Sequence, residues 1–225
     1  MAERERPRAA TKLDDYRLRI KHSREDAQSY TRRKSAKHEG EMKMIRRALT
    51  LLDGCRSFLD APCGAGRATI MLAEEGHEAT GIDLGRGALE VAREQATARR
   101  SEAQFLRADV QNMPFEDARF DAVLCFRLYH HFPVDEVRER TVRELCRVAR
   151  RYVLISYLSP YAYTSLRREL LRRLGIGRSA QYPTRLAGLR ERFARHGFRL
   201  VADIPRQRFV HTLHLAVFER VAGAS

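Results

Sequence analysis

The chain has 225 residues, 44% hydrophobic, and carries 43 Lys/Arg against 29 Asp/Glu, for a net charge of +14 and a pI near 10.3. That length suits one domain with one core. No apolar run approaches the roughly 18 residues of a membrane span. The N-terminus "MAERERPRAA" lacks the apolar centre of a secretory signal. Cys55, Cys63, Cys125 and Cys146 show no CxxC spacing. They read as free thiols of a cytoplasmic protein and not as a disulfide frame or a zinc site.

Residues 1–22 read as a basic, disordered arm. "SRED" (23–26) fits a capping box ahead of a helix over about 24–51 that carries Tyr30, Met42, Met44, Ile45 and Leu49. Asp53-Gly54 ends it. Strands and helices then alternate. "RSFLD" (56–60), "EATGID" (78–83), "AQFLRA" (103–108), "FDAVLCF" (120–126) and "YVLISYL" (152–158) read as strands, the last two buried on both faces. Between them, 66–76, 87–100 and 134–150 read as helices, the third with a broad apolar stripe including Val137, Val142, Leu145 and Val148. This alternation predicts an α/β, doubly wound parallel sheet. Beyond 158 come two predicted helices, 164–175 and 184–197, the second with Thr184 as its cap. Two strands follow, 198–205 and 211–221, and their short connection permits only an antiparallel pair.

The charge is uneven. Residues 51–150 hold 14 Lys/Arg against 17 Asp/Glu, whereas 1–50 hold 15 against 8 and 151–225 hold 14 against 4. Basic flanks suit an anionic partner such as RNA or the anionic headgroups of a membrane surface. They also suit an arginine-rich solvated surface, because no aromatic residues interleave the charge.

"FLDAPCGAGRAT" (58–69) is a strand running into a glycine turn, the usual ligand position of an open α/β sheet. A nucleoside-triphosphate loop needs a lysine that is absent here. A dinucleotide loop needs a third glycine where Thr69 stands, and Asp60 would repel a pyrophosphate. S-adenosylmethionine has an ammonium, a sulfonium and ribose hydroxyls but no phosphate, so acids should surround it. Asp60, Asp83 and Asp109 stand at the ends of three successive strands.

"LDAPCGAGRAT", "GIDLG", "ADVQNMPFEDARFDAVLC" and "YHHF", in that order, resemble the class I S-adenosylmethionine-dependent methyltransferases. The resemblance is nearest to the ubiquinone/menaquinone-biosynthesis branch and covers roughly 56–158. It implies a Rossmann-like, seven-stranded, mostly parallel sheet with the last strand antiparallel and helices on both faces. It also implies a single domain over 23–225, with 23–54 as an N-terminal helical lid and 159–183 as an inserted one. Gly64 and Gly66 would let backbone approach the donor, and Asp60 would meet its ammonium. Asp83 would hold the ribose hydroxyls, while Asp109 and the Val110 backbone would hold the adenine. Leu84 and Met113 would wall the ring, and Tyr30 would touch the donor carboxylate. Each residue has a plainer alternative: Asp60 as a cap, Asp83 as a surface turn residue, Asp109 as an Asx-turn, Tyr30 as packing. Pro62 replaces the first family glycine, and "VARRYVLIS" lacks the family's Pro-Gly-Gly turn.

Methyl transfer needs alignment of the acceptor, its desolvation and, for a hydroxyl or protonated amine, a base. "LYHHF" supplies His131, with His130 second. The plainer alternative is that either imidazole caps the next helix or packs beside Phe132. His211 and His214 read as structural, and no metal site is expected. Tyr161, Tyr163, Arg167, Arg168, Arg172 and Arg173 form an inserted lid suited to an acidic or aromatic small-molecule acceptor. An RNA methyltransferase and a non-catalytic donor-binding protein are the alternative functions.

Overall fold

The computed structural model describes residues 23–25, 35–161, 181–206, 212–221 and 223. Helix α1 spans Ser35–Leu49, and strand β1, Ser57–Asp60, is buried throughout. Helix α2 (Arg67–Glu74), β2 (Glu78–Asp83), α3 (Arg86–Ala98) and β3 (Gln104–Arg107) follow. Then come β4 (Phe120–Cys125), a 3₁₀ turn (Tyr129–His131), α4 (Asp135–Val148) and β5 (Ala149–Leu158). Helix α5 (Leu186–Ala194), β6 (Phe198–Pro205) and β7 (Leu213–Arg220) close the fold.

The seven strands lie in the order β3-β2-β1-β4-β5-β7-β6. The first five are mutually parallel, and β7 runs antiparallel between β5 and β6. This is the expected Rossmann-like sheet. The short β6–β7 connection forces the one reversed strand, because a parallel neighbour needs a crossover of a dozen or more residues.

Each sheet face is covered by apolar side chains at alternate strand positions. On one face Ile45 of α1 and Met71 and Leu72 of α2 pack on Phe58, Leu124, Leu154 and Val217. On the other, Val142 and Leu145 of α4 and Phe193 of α5 pack on Val123, Val153 and Phe218. Phe193 and Phe218 stack with centroids 3.9 Å apart.

Three local expectations change. Strand β5 starts at Ala149, three residues before the apolar run, and follows α4 with no intervening loop. The missing Pro-Gly-Gly turn is therefore a direct helix-to-strand join. The cap position of α5 is Arg185, with no side-chain cap bond. Thr184 instead donates its amide to the Leu158 carbonyl at 2.8 Å, so it extends the edge of β5. The helix expected over 164–175 and most of the 159–183 insertion lie outside the described residues, as do the 1–22 arm and Tyr30.

Candidate donor site at the carboxyl edge

The turn after β1 is hung between two strands. The Ala61 amide donates to the Leu124 carbonyl and the Cys63 amide to the Ile82 carbonyl, both at 2.8 Å. Its two glycines have left-handed φ values of 53° (Gly64) and 77° (Gly66), and they do different jobs. A Cβ on Gly66 would sit 2.9 Å from the Ala92 methyl and the Phe105 ring, so this glycine lets α2 close on α3 and β3. A Cβ on Gly64 would meet nothing within 4 Å. Gly64 therefore presents bare, open backbone to which a ligand can come close.

Asp83 ends β2 and ties that turn to the next. Its Oδ2 accepts the Gly64 amide at 2.9 Å and its Oδ1 accepts the Gly85 amide at 2.7 Å. Two fixed amides hold the carboxylate at one orientation beside the open face of Gly64. Charge-assisted bonds of this kind are roughly twice as strong as neutral ones.

Asp60 is 2% exposed. Burial pushes its carboxyl up to about 7, the Thr69 hydroxyl bond opposes that rise, and the nearby charge of Asp83 adds to it. The Thr69 hydroxyl donates to Asp60 Oδ2 at 2.8 Å. Thr69, which breaks the dinucleotide pattern in the sequence, stands on the first turn of α2 and is the partner of Asp60.

The third acid is joined to the same edge, since the Ala108 amide donates to the Asp83 carbonyl at 3.3 Å. Asp109 spends Oδ1 on the Gln111 amide at 3.0 Å, an Asx-turn within its own loop. Val110 and Met113 are buried in the α4-side core. Met113 donates its amide to Glu144 Oε2 at 3.0 Å. Arg147 clamps the same loop through the carbonyls of Phe115 and Met113. Met113 is thus fixed in the core, and Leu84 is the half-buried residue of the two named as adenine walls.

Past β4, the 3₁₀ turn carries both histidines, their ring centroids 4.2 Å apart. His130 is 1% exposed and its carbonyl accepts the Tyr182 amide at 2.9 Å. His131 is only half buried, so of the two it keeps more surface. Neither caps α4, whose cap position is Val134 without a side-chain bond. Of the inserted lid, Tyr161 is described and is 73% exposed. Tyr163 and the arginines Arg167, Arg168, Arg172 and Arg173 lie outside the described residues.

His214 Nδ1 lies 2.9 Å from Asp203 Oδ2, and its ring packs on Tyr157 at 5.3 Å, where the start of β7 pairs with the carboxyl end of β5. His211 lies outside the described residues. Among the described residues no group of three or more His, Cys, Asp or Glu could hold a metal. All four cysteines are buried free thiols. Burial pushes Cys63 and Cys125 up, which leaves neither suited as a nucleophile.

Residues 58–151 match a family model described as a methyltransferase domain. A ubiquinone biosynthesis O-methyltransferase of Alkalilimnicola ehrlichii is 37% identical over 90 residues, covering 40% of this chain and 36% of that protein. A 2-heptyl-1-hydroxyquinolin-4(1H)-one methyltransferase of Mycobacteroides abscessus is 36% identical over 92 residues, covering 40% of each. The chain thus matches well under half the length of these curated relatives. The crystal structure of a magnesium protoporphyrin IX methyltransferase from Synechocystis PCC 6803 with bound SAH superposes with a TM-score of 0.67. It does so at 21% identity, over 80% of this chain and 84% of that one. Residues 58–151 thus match the methyltransferase-domain model, and the seven-stranded sheet shares the fold of the superposed structure.

Proposed function

We propose that this chain moves a methyl group from S-adenosylmethionine to a small-molecule or lipid-linked acceptor by in-line displacement. One observation carries the reading: Asp83 is locked by two backbone amides beside the open face of Gly64. A rigid bidentate acceptor next to bare backbone fits vicinal ribose hydroxyls. Buried Asp60, held near neutrality, fits an approaching ammonium, which would draw it into its charged form. The donor supplies an activated methyl when bound. The chain then has to hold the acceptor in line, exclude water and, for a hydroxyl acceptor, take its proton.

In this reading Gly64, Asp60 and Asp83 carry the methionine and ribose part, and Gly66 shapes the turn that presents them. Leu84, Asp109 and the Val110 backbone carry the adenine, and Tyr30 the donor carboxylate. His131 is the base, since it keeps surface at the exit of β4, and His130 is the second candidate. Residues 23–225 form one domain, with 23–54 and 159–183 roofing the edge.

An aromatic or acidic acceptor is supported by the ring compounds in the relatives' names, a hydroxyquinolinone and a magnesium protoporphyrin. Four buried free thiols favour a reducing compartment, the cytoplasm. Peripheral contact of the basic flanks with an anionic membrane belongs to the same proposal.

The test is to incubate the chain with methyl-labelled donor and a cell extract. A labelled product of defined mass is expected, and its mass names the acceptor. Calorimetric binding of the donor with no labelled product in any extract would leave a non-catalytic binder. His131→Ala should lower turnover while leaving donor affinity within about twofold, because a base acts on the acceptor and not on the donor.

A further inference from the structure

Two contacts fasten the N-terminal segment to opposite sides of the donor turn. The first is on α3. A Cβ on Gly87 would fall 2.3 Å from the Ser23 carbonyl carbon, 2.4 Å from its oxygen and 2.6 Å from the Arg24 nitrogen. The backbone of residues 23–24 therefore crosses the bare first turn of α3 at a distance only glycine allows. Arg24 then pairs with Glu94 on the same helix at 2.9 Å. Gly87 stands two residues after Gly85, whose amide is held by Asp83.

The second contact is on the other flank. Glu41 of α1 is 1% exposed, and its Oε1 accepts a hydrogen bond from Arg127 Nη1 at 3.0 Å. Arg67, the first residue of α2, brings its guanidinium to 3.8 Å. Arg127 lies two residues past β4, directly before the turn that bears His131. It has a left-handed φ of 61°, rare for a residue with a side chain, and its amide donates to the Ser156 hydroxyl at 2.6 Å. Such a conformation persists only where the surroundings over-determine it. A carboxylate this deeply buried is tolerated only with its cation in place. The seat of α1, the exit of β4 and the start of α2 are therefore fixed together or not at all.

Building on the methyltransferase reading, we propose that the N-terminal segment is a positioning element of the donor site, seated by Gly87 on one side and by Glu41 through Arg127 on the other. Neither residue touches the donor in this proposal. They set the spacing between the glycine turn and the β4 exit.

Calorimetric titration of the full chain with S-adenosylhomocysteine, alongside ligand-free melting, tests it. Gly87→Ala adds a methyl to a helix, which by itself favours the helix. Were Gly87 only structural, affinity would hold whatever the collision with residues 23–24 did to the melting temperature. The proposal expects affinity to fall about tenfold without a matching fall in melting temperature, because the methyl evicts residues 23–24 and not α3. Glu41→Gln and Arg127→Met should each weaken the probe by about tenfold, and the double variant by no more than either alone, because one pair is being broken. Should Gly87→Ala fail to fold, the Glu41 and Arg127 variants carry the test unaided. Variants that bind within twofold of wild type, or that lose affinity only in step with melting temperature, overturn the proposal. A wild-type chain that does not bind the probe overturns the methyltransferase reading itself, and the positioning role with it.

Discussion

On what we propose is the donor side of the carboxyl edge, Asp83 reaches amides only 2 and 19 residues away, and Thr69 reaches Asp60 across 9. On the proposed acceptor side the links are main-chain bonds between distant segments. Tyr182 bonds to His130, Thr184 to Leu158 and Ser159 to Thr212. The side-chain bonds of the donor half stay within and between neighbouring turns, although its main chain also reaches Leu124 of β4. The acceptor half is assembled by where separate strands happen to end. A site of the first kind is held rigid by its own motif, whereas one of the second kind can change its ligand by changing loops that leave the sheet alone.

That contrast can be broken first at the glycine turn. Gly66→Ala should destabilise the fold by about 2–4 kcal/mol in a denaturant titration, from overpacking against Ala92 and Phe105 plus the left-handed backbone. Gly64→Ala has the same backbone cost but no clash, so its stability loss should stay near 1 kcal/mol while its donor affinity falls more than that. Equal stability losses for the two would show that the turn does not divide its work.

Asp83→Ala should weaken the donor by roughly ten- to a hundredfold in calorimetry, from lost hydrogen bonds to a charged acceptor worth about 1.5–3 kcal/mol. Unchanged affinity in a folded variant would take the ribose away from Asp83.

A smaller effect should follow pH. The carboxyl of Asp60 is raised to about 7 by burial, while an ammonium beside it favours the ionised form. Donor affinity should then fall as pH drops below about 7, by up to roughly tenfold per pH unit, and Asp60→Asn should flatten the profile. In the donor-free chain the sign is opposite. A raised folded value means that the contribution of Asp60 to stability is complete below its unfolded value. It is lost as pH rises through about 7. A flat binding profile would place the donor ammonium elsewhere.

The strands were readable because both faces of β4 and β5 are apolar and glycines punctuate the turns. Asp60 and Asp83 were readable because acids at strand ends, next to a glycine pair, leave few ligands. Glu41 and Arg127 were not. One lies on a helix face among other charged residues, the other in a loop, and 86 residues separate them. Only the register that brings β1 beside β4 puts them in contact. Thr184 misled for a related reason: Thr before a helix is a good local cap signal, but the carbonyl of buried Leu158 at the end of β5 takes its backbone amide instead.

The direct join between Val148 and Ala149 has a consequence for how this chain can vary in length. Strand β5 sends Val153, Ile155 and Tyr157 to the α4 face and Tyr152, Leu154 and Leu158 to the other. With no loop to absorb it, one residue inserted at the join would turn the strand over and exchange those two sets, unless α4 gave up its own register. Insertions and deletions should therefore be excluded between residues 145 and 152. They should be tolerated in surface turns such as the one that ends α3, around Arg100, where nothing downstream depends on the count.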